Sequence, residues 1–241
     1  MERYIKQIIF ERIGERGQKF LIKSKVVLVG CGANGSIASE LLTRAGIGEL
    51  IIIDNDKIVL DNLQRQSLFK EKDVGHLKAV VAERELKEIN SKVKITAFIE
   101  RLEEKNLHLL SNSDLVLDCT DNFKTRFLIN EYCVKNNIPW IFCAVLGSKG
   151  MTMNILPKFN YCLKCIFSEM ENMPTADTAG IISSINHSTV AFMVTEALKI
   201  LTKQEPSKDL VILDIWKQKI EHIKPKKNPK CLICLEGKKK V

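Results

Sequence analysis

Two groups of residues in this sequence have the types and spacing to do chemistry. The first is Gly30-Cys31-Gly32-Ala33-Asn34-Gly35, a GxGxxG turn between the apolar segment Lys25–Val29 and a helix-forming run. Gly30, Gly32 and Gly35 let the backbone approach a phosphate closely, and the helix after the turn offers unpaired N–H groups and a positive dipole end. Asp54 closes the next apolar segment, where a carboxylate accepts from ribose hydroxyls, and Asp56 follows it. Taken alone, the turn is compatible with NAD or with ATP.

The residues that follow favour a triphosphate. Asn62, Gln64 and Arg65 lie in Asp61-Asn62-Leu63-Gln64-Arg65-Gln66, and Lys78 closes Gly75-His76-Leu77-Lys78 at the start of a helix. A dinucleotide enzyme has no general need for Arg65 and Lys78 beside a ribose-binding aspartate. A triphosphate does: arginine grips phosphate oxygens bidentately, and lysine neutralises charge on a leaving pyrophosphate. Asp121 follows Leu117-Asp118-Cys119-Thr120 at the carboxyl edge of a strand, where a magnesium ion fits. Asn122 is its neighbour. Arg126, one turn further on, reads either as a phosphate ligand or as the partner of a nearby carboxylate.

The second group is a pair of CxxC motifs, Cys162/Cys165 and Cys231/Cys234. Four thiolates satisfy a closed tetrahedral zinc site, and a separation of about seventy residues makes it a structural clip rather than a finger. A redox pair or unligated thiols are the alternatives. Cys31, Cys119, Cys133 and Cys143 sit singly in apolar or glycine-rich runs. They read as packed thiols, with Cys119 and Cys143 ending strands and Cys133, on a helix, the loosest.

The elements that must hold these residues alternate between strand and helix. Strands are expected at 25–29, 50–53, 93–99, 114–118 and 140–145, with helices over 33–45, 76–90 and 122–137. This is the pattern of an α/β, Rossmann-like, doubly wound and mostly parallel sheet. Before it, 4–21 reads as an amphipathic helical arm broken near Gly14 and Gly17. After Gly147 come a strand at 151–156, a polar loop at 168–180, a long helix to Leu201 and a hairpin at 210–215 and 219–223. The expectation is a single unit, 1–241, with arm 1–24, nucleotide core 25–147 and an antiparallel, zinc-tied part 148–241.

Composition sets the limits. Of 241 residues, 45% are hydrophobic and 27% charged, which excludes a disordered or fibrous chain. No apolar run approaches the roughly 18 residues of a membrane span. The first residues lack the apolar core of a signal peptide, so a soluble cytoplasmic protein is expected. The net charge of +8 is spread along the chain, densest between Lys217 and Lys240, and only 6% of residues are aromatic. That argues against nucleic-acid binding as the main role and suits an anionic substrate or an acidic protein partner.

Taken in order, the motifs resemble the ThiF/MoeB/HesA family, relatives of ubiquitin-activating enzymes, over almost the whole chain. Arg3-Tyr4-Ile5-Lys6-Gln7 and Gly14 to Gln18 are similar to its N-terminal motifs. The glycine loop, Asp54-Asn55-Asp56, Asp61–Gln66, Gly75–Lys78, Thr120-Asp121-Asn122 with Arg126, and both CxxC pairs follow in family order. The resemblance is strongest to MoeB-like members without a cysteine in the crossing loop.

It implies ATP-dependent adenylation of the C-terminal glycine carboxylate of a small ubiquitin-like or sulfur-carrier protein ending in Gly-Gly. It also implies a homodimer, magnesium and structural zinc. Asp54 is then assigned to ribose, Asn62 and Arg65 to phosphates, Lys78 to phosphate or pyrophosphate, and Asp121 to magnesium. Lys6 stands where the family has an arginine that reaches into the partner's site, keeping the charge but losing the planar fork. The loop at 168–180 has no cysteine near Ala176, where thioester-forming relatives usually carry one. The alternatives are an NAD-binding oxidoreductase with a zinc clip, a non-catalytic adaptor for a ubiquitin-like protein, and a relative that cyclises a modified tRNA base.

Overall fold

The apolar residues of each strand alternate between two directions, so the sheet they form must be covered on both faces. In the computed structural model, which describes residues 1–157, 159, 161–167 and 179–236, this is the arrangement found. Five parallel strands, β1 (Lys25–Val29), β2 (Glu49–Ile53), β3 (Lys94–Phe98), β4 (Leu115–Asp118) and β5 (Trp140–Leu146), are extended by three antiparallel ones. These are β6 (Lys149–Ile155), β7 (Leu210–Asp214) and β8 (Lys219–Ile223). The order across the sheet is β3-β2-β1-β4-β5-β6-β7-β8. The α/β, mostly parallel, doubly wound fold with an antiparallel C-terminal extension is therefore as expected.

Val26 and Leu28 of β1, Leu50 and Ile52 of β2, and Ile141 and Cys143 of β5 face one layer of helices. That layer is α3 (Ala33–Ala45), α4 (Lys78–Ile89) and α7 (Ser183–Leu201). Val27, Val29, Ile53, Trp140 and Phe142 face the other way. There they meet α5 (Phe123–Lys135) and the two cysteine-bearing segments, α6 (Leu163–Ile166) and α8 (Leu232–Glu236). Trp140 and Phe142 are fully buried, each worth about 1.5–3 kcal/mol of transfer free energy.

β1 has β2 on one side and β4 on the other, both parallel. The chain leaves β1 toward β2 and β3 on one side and returns from β3 to β4 on the other, and such a switch point opens a crevice at the carboxyl ends of the strands.

The structure corrects several local readings. The N-terminal arm breaks at Phe10–Ile13, between α1 (Ile5–Ile9) and α2 (Gly14–Leu21). Gly17 does not break it, because it lies inside α2, buried against Ile13 and Thr202. A 3₁₀ segment at Glu104–Leu110, where no element was expected, is held by Asn106 Oδ1 accepting from the Glu103 N–H at 2.8 Å. Cys143 lies within β5, not at its end, and Cys133 is fully buried rather than loose. Most of the polar loop at 168–180, including Ser168, Thr175, Ala176 and Thr178, lies outside the described residues. Among the described residues no helix is long and apolar enough to cross a membrane.

Candidate active site

The crevice is floored by the turn after β1. Gly30 takes φ +87°, and a Cβ there would stand 2.9 Å from the Cys119 carbonyl oxygen, so only glycine lets the end of β1 lie against the end of β4. A Cβ at Gly35 would collide with the Gly30 carbonyl oxygen, which keeps α3 close to the strand. Gly32 is the N-cap of α3. The N–H groups of Ala33, Asn34 and Gly35 thus stand in the first turn, without intrahelical partners.

Asp54, at the end of β2, is bonded to this turn. Its Oδ2 accepts from the Cys31 N–H at 2.6 Å and its Oδ1 from the Asp56 N–H at 2.8 Å. Burial pushes the carboxyl above the usual carboxylate range, opposed by those two N–H groups and by the ammonium of Lys78. Each oxygen retains a lone pair, enough to accept from a diol.

Lys78, the first residue of α4, is brought to the crevice by the strand-like bridge between Lys57 and Leu77. Its side chain is 9% exposed, and its Nζ donates to Asp56 Oδ2 at 3.0 Å. Asn62 is buried and donates to Asp61 Oδ1 at 2.7 Å; among the described residues its own Oδ1 has no partner, and neither does Gln66 Oε1. Gln66 borders Gly32. Arg65 is half-buried and donates to the Asp61 carbonyl at 2.9 Å, and Gln64 is exposed. A bound nucleotide suits this arrangement: room made by missing Cβ atoms, and enclosed polar atoms awaiting partners.

The β4 side divides into a buried pair and an open carboxylate. Asp118 is wholly buried, with Oδ1 accepting from the Thr120 N–H and hydroxyl at 3.0 and 2.6 Å. Arg126 Nε stands 3.3 Å from Asp118 Oδ2, and its Nη2 donates to the Thr120 carbonyl at 2.5 Å. Its guanidinium also lies over Phe123 and Phe142. Of the two readings of Arg126, the structure shows pairing with a carboxylate. Asp121 is exposed, touched only by Asn122 Nδ2 at 3.3 Å among the described residues. Asn122 caps α5 through Oδ1 and the Thr125 N–H. An uncommitted carboxylate next to the end of β4, close to the glycine loop, suits magnesium.

Lys6 is not part of this crevice. Its neighbour Gln7 donates to the Ala45 carbonyl at the far end of α3, about 20 Å along the helix from the glycine loop.

On the other face, four sulfur atoms converge. Cys162 lies 4.0 Å from Cys165 and 3.7 Å from Cys231, and Cys165 lies 3.5 Å from Cys234; all four are within 4.8 Å of one another. Tetrahedral zinc with Zn–S of about 2.3 Å requires S–S edges of about 3.8 Å. Cys162, Cys165, Cys231 and Cys234 therefore have the donor set and spacing for structural zinc. Such an ion would tie α8 to the turn after β6.

The ThiF family matches residues 4–233. The chain belongs to the ThiF family. Among similar proteins, the sulfur carrier protein ThiS adenylyltransferase of Bacillus subtilis is 38% identical over 226 residues, covering 92% of this chain and 67% of that protein. The SAMP-activating enzyme E1 of Haloferax volcanii is 32% identical over 243 residues, covering 98% of this chain and 90% of its own. The crystal structure of E. coli MccB with ATP superposes with a TM-score of 0.85 at 26% identity, covering 97% of this chain and 74% of that one.

Within this ThiF-family crevice, the glycine loop, Asp54, Asp56, Asn62 and Lys78 converge as the sequence suggested. Three residues were missed. Asp118 ends an apolar strand and looked like one more strand terminus. Gln66 was quoted only as the end of a motif. Asn186, on α7, donates to Asn34 Oδ1 at 2.8 Å across 152 positions of sequence, and no local signal could have disclosed it.

Proposed function

We propose that this chain adenylates the C-terminal glycine carboxylate of a ubiquitin-like sulfur-carrier protein with ATP, releases pyrophosphate, and forms no thioester of its own. A free carboxylate is a poor acyl donor because its leaving group would be oxide. Attack of a carboxylate oxygen on the α-phosphorus forms a P–O bond and breaks the bond to the bridging oxygen. Pyrophosphate departs, and the acyl adenylate now has AMP as its leaving group. Positioning and charge stabilisation do most of this work.

In this reading Asp54 holds the ribose, and the N–H groups of Gly32, Ala33 and Gly35 with Asn62 and Gln64 surround the phosphates. Arg65 turns from the Asp61 carbonyl to a phosphate, and Lys78 moves from Asp56 to the departing pyrophosphate. Asp121, with Asn122 beside it, holds magnesium, which neutralises phosphate charge when bound. Arg126 fixes the β4 loop through Asp118 and Thr120. The observation that carries the reading is Lys78, nearly buried and paired with Asp56 beside the Asp54-braced glycine loop. A hydride-transfer enzyme has no use for that cation.

Two further features support the finer points. Cys31, Cys119, Cys133 and Cys143 are all buried, and burial raises each thiol, Cys143 to about 12, so none is poised as a nucleophile. The arm carries exposed Ile5, Ile9 and Phe10, an apolar stripe that a second copy can cover. A homodimer would also bring Lys6 to a site it cannot reach in its own chain. We read the whole chain as one adenylation unit.

The deciding experiment is carrier-dependent exchange of labelled pyrophosphate into ATP. Exchange is expected with a carrier ending in Gly-Gly and not with one truncated at that end. Binding of NAD but not ATP would overturn the reading, and ATP and carrier binding without exchange would make the chain an adaptor.

A further inference from the structure

Asn34 and Asn186 form a buried polar contact between α3 and α7, two helices that share the apolar cluster of Ile37, Leu42, Val190 and Val194. Asn186 is 0% exposed and Asn34 6%, with Val190 and Ile37 of the same helices buried nearby in sequence. Asn186 Nδ2 donates to Asn34 Oδ1, while Asn186 Oδ1 has no partner among the described residues. This is an unfavourable way to join two helices. Two apolar side chains of the same shape would cost nothing in desolvation, whereas an unpaired buried acceptor carries the full penalty. Packing alone does not account for the pair.

Its location suggests what does. Asn34 is the second residue of α3, between two neighbours whose N–H groups also stand in the first turn of the helix. Side chains on a helix lean toward its N-terminus, here toward the crevice. With Oδ1 held by Asn186, Asn34 Nδ2 has no protein partner among the described residues and is not sealed from solvent. Asn186 is anchored in turn: α7 begins three residues after Gly180, whose carbonyl accepts from the Gly147 N–H at 3.0 Å, and the Ile182 N–H returns to the Gly147 carbonyl at 3.2 Å.

We propose that Asn34 donates a side-chain N–H to a phosphate oxygen of the bound nucleotide, and that Asn186 is the positioning residue that sets its amide. The inference rests on the adenylation reading and adds a ligand contributed by a side chain within the glycine loop. Buried asparagines are used elsewhere to fix the register of helices at a cost in stability. Here the register fixed is that of an amide against a phosphate.

The test measures binding of Mg-ATP alone by calorimetry, with no carrier present, for wild type, Asn34→Leu, Asn186→Leu and the double variant, alongside thermal melting. Each single variant is expected to bind ATP about tenfold more weakly or worse, the scale of one hydrogen bond to a charged group. The double variant is expected to bind no worse than Asn34→Leu, because both changes break one unit. It should nevertheless melt above either single variant, since no buried amide is left unpaired. Full recovery of ATP affinity in the double variant would show a merely structural pair. That outcome, or unchanged affinity in the single variants, overturns the proposal. Wild-type protein that binds no ATP would overturn the adenylation reading and this proposal together.

Discussion

The Asp54 carboxylate and the Cys31 N–H are joined by a 2.6 Å hydrogen bond that fastens the end of β2 to the turn after β1. The bond makes the ribose-binding candidate also the brace of the glycine loop. Burial penalises its charge, so the fold carries this carboxylate at a cost that binding must recover.

Asp54→Asn separates the two roles. A carboxyl raised by folding favours its neutral form. Its contribution to stability is fully present below the ordinary carboxylate value and is lost as pH rises through the raised one. Melting of wild type relative to Asp54→Asn should therefore fall over that acidic window, while ATP affinity of the variant drops at least about tenfold at neutral pH. A melting difference that does not change with pH would show the carboxyl to be unshifted.

The four-sulfur cluster should bind one zinc per chain. Cys231→Ser is expected to lose the metal and several kcal/mol of stability, because in a closed thiolate site binding energy is folding energy. Metal analysis of freshly purified reduced protein, followed by denaturant melts, checks both. Zinc-free wild type, or a variant as stable as wild type, would rule the clip out.

How far the sequence could be read depended on the distance over which each cause acts. The strands from β1 to β5 and the glycine loop were legible because apolar runs and glycine turns act locally, within about ten residues. The cysteine clip spans far more chain, yet two CxxC pairs have few uses, so spacing sufficed. Arg126 could not be resolved, since a lone arginine after a strand does not disclose that Asp118 will be sealed beside it. The burial of Cys133 followed from α5 packing on the cysteine segments, and Asn186 meeting Asn34 followed from the seat of α7. Both are consequences of tertiary packing that no window of sequence contains.

Lys78, Arg65 and Asp121 should each matter to the exchange reaction. Replacing any one with alanine is expected to lower carrier-dependent pyrophosphate exchange about a hundredfold or more, the usual scale for a lost charge-stabilising group. Lys78→Ala also frees Asp56, which is already 64% exposed and remains solvated, so the fold should tolerate it. If exchange is unchanged in Asp121→Ala, the magnesium assignment is wrong.

The buried thiols give a negative expectation that can be checked on a gel. Enzyme, ATP and carrier incubated together should yield no thiol-sensitive adduct, because every cysteine outside the four-sulfur cluster is enclosed. A band that disappears on reduction, and is abolished by Cys133→Ala or Cys143→Ala, would show that the fold opens far enough to present one.

The last expectation concerns Lys6, whose neighbour Gln7 is bonded at the end of α3 far from its own chain's crevice. If it acts at all, it acts in a second copy. Lys6→Ala alone should impair exchange, and so should Lys78→Ala, for different reasons: one chain lacks the donated cation and the other lacks its own. Mixed and allowed to exchange subunits, half the dimers become heterodimers, and each contains one site with Lys78 from its own chain and Lys6 from its partner. Activity should therefore recover to about a quarter of the wild-type level at equal amounts, the value set by two-fold symmetry. A Lys6 that worked within its own chain would give no recovery beyond the average of the two variants, since neither chain alone carries both lysines. Lys6→Arg, which restores the planar fork, should be at least as active as wild type. Failure of the mixture to recover, with dimers confirmed by mass, would overturn the action of Lys6 across the dimer, and unchanged exchange in Lys6→Ala would remove it from the site altogether.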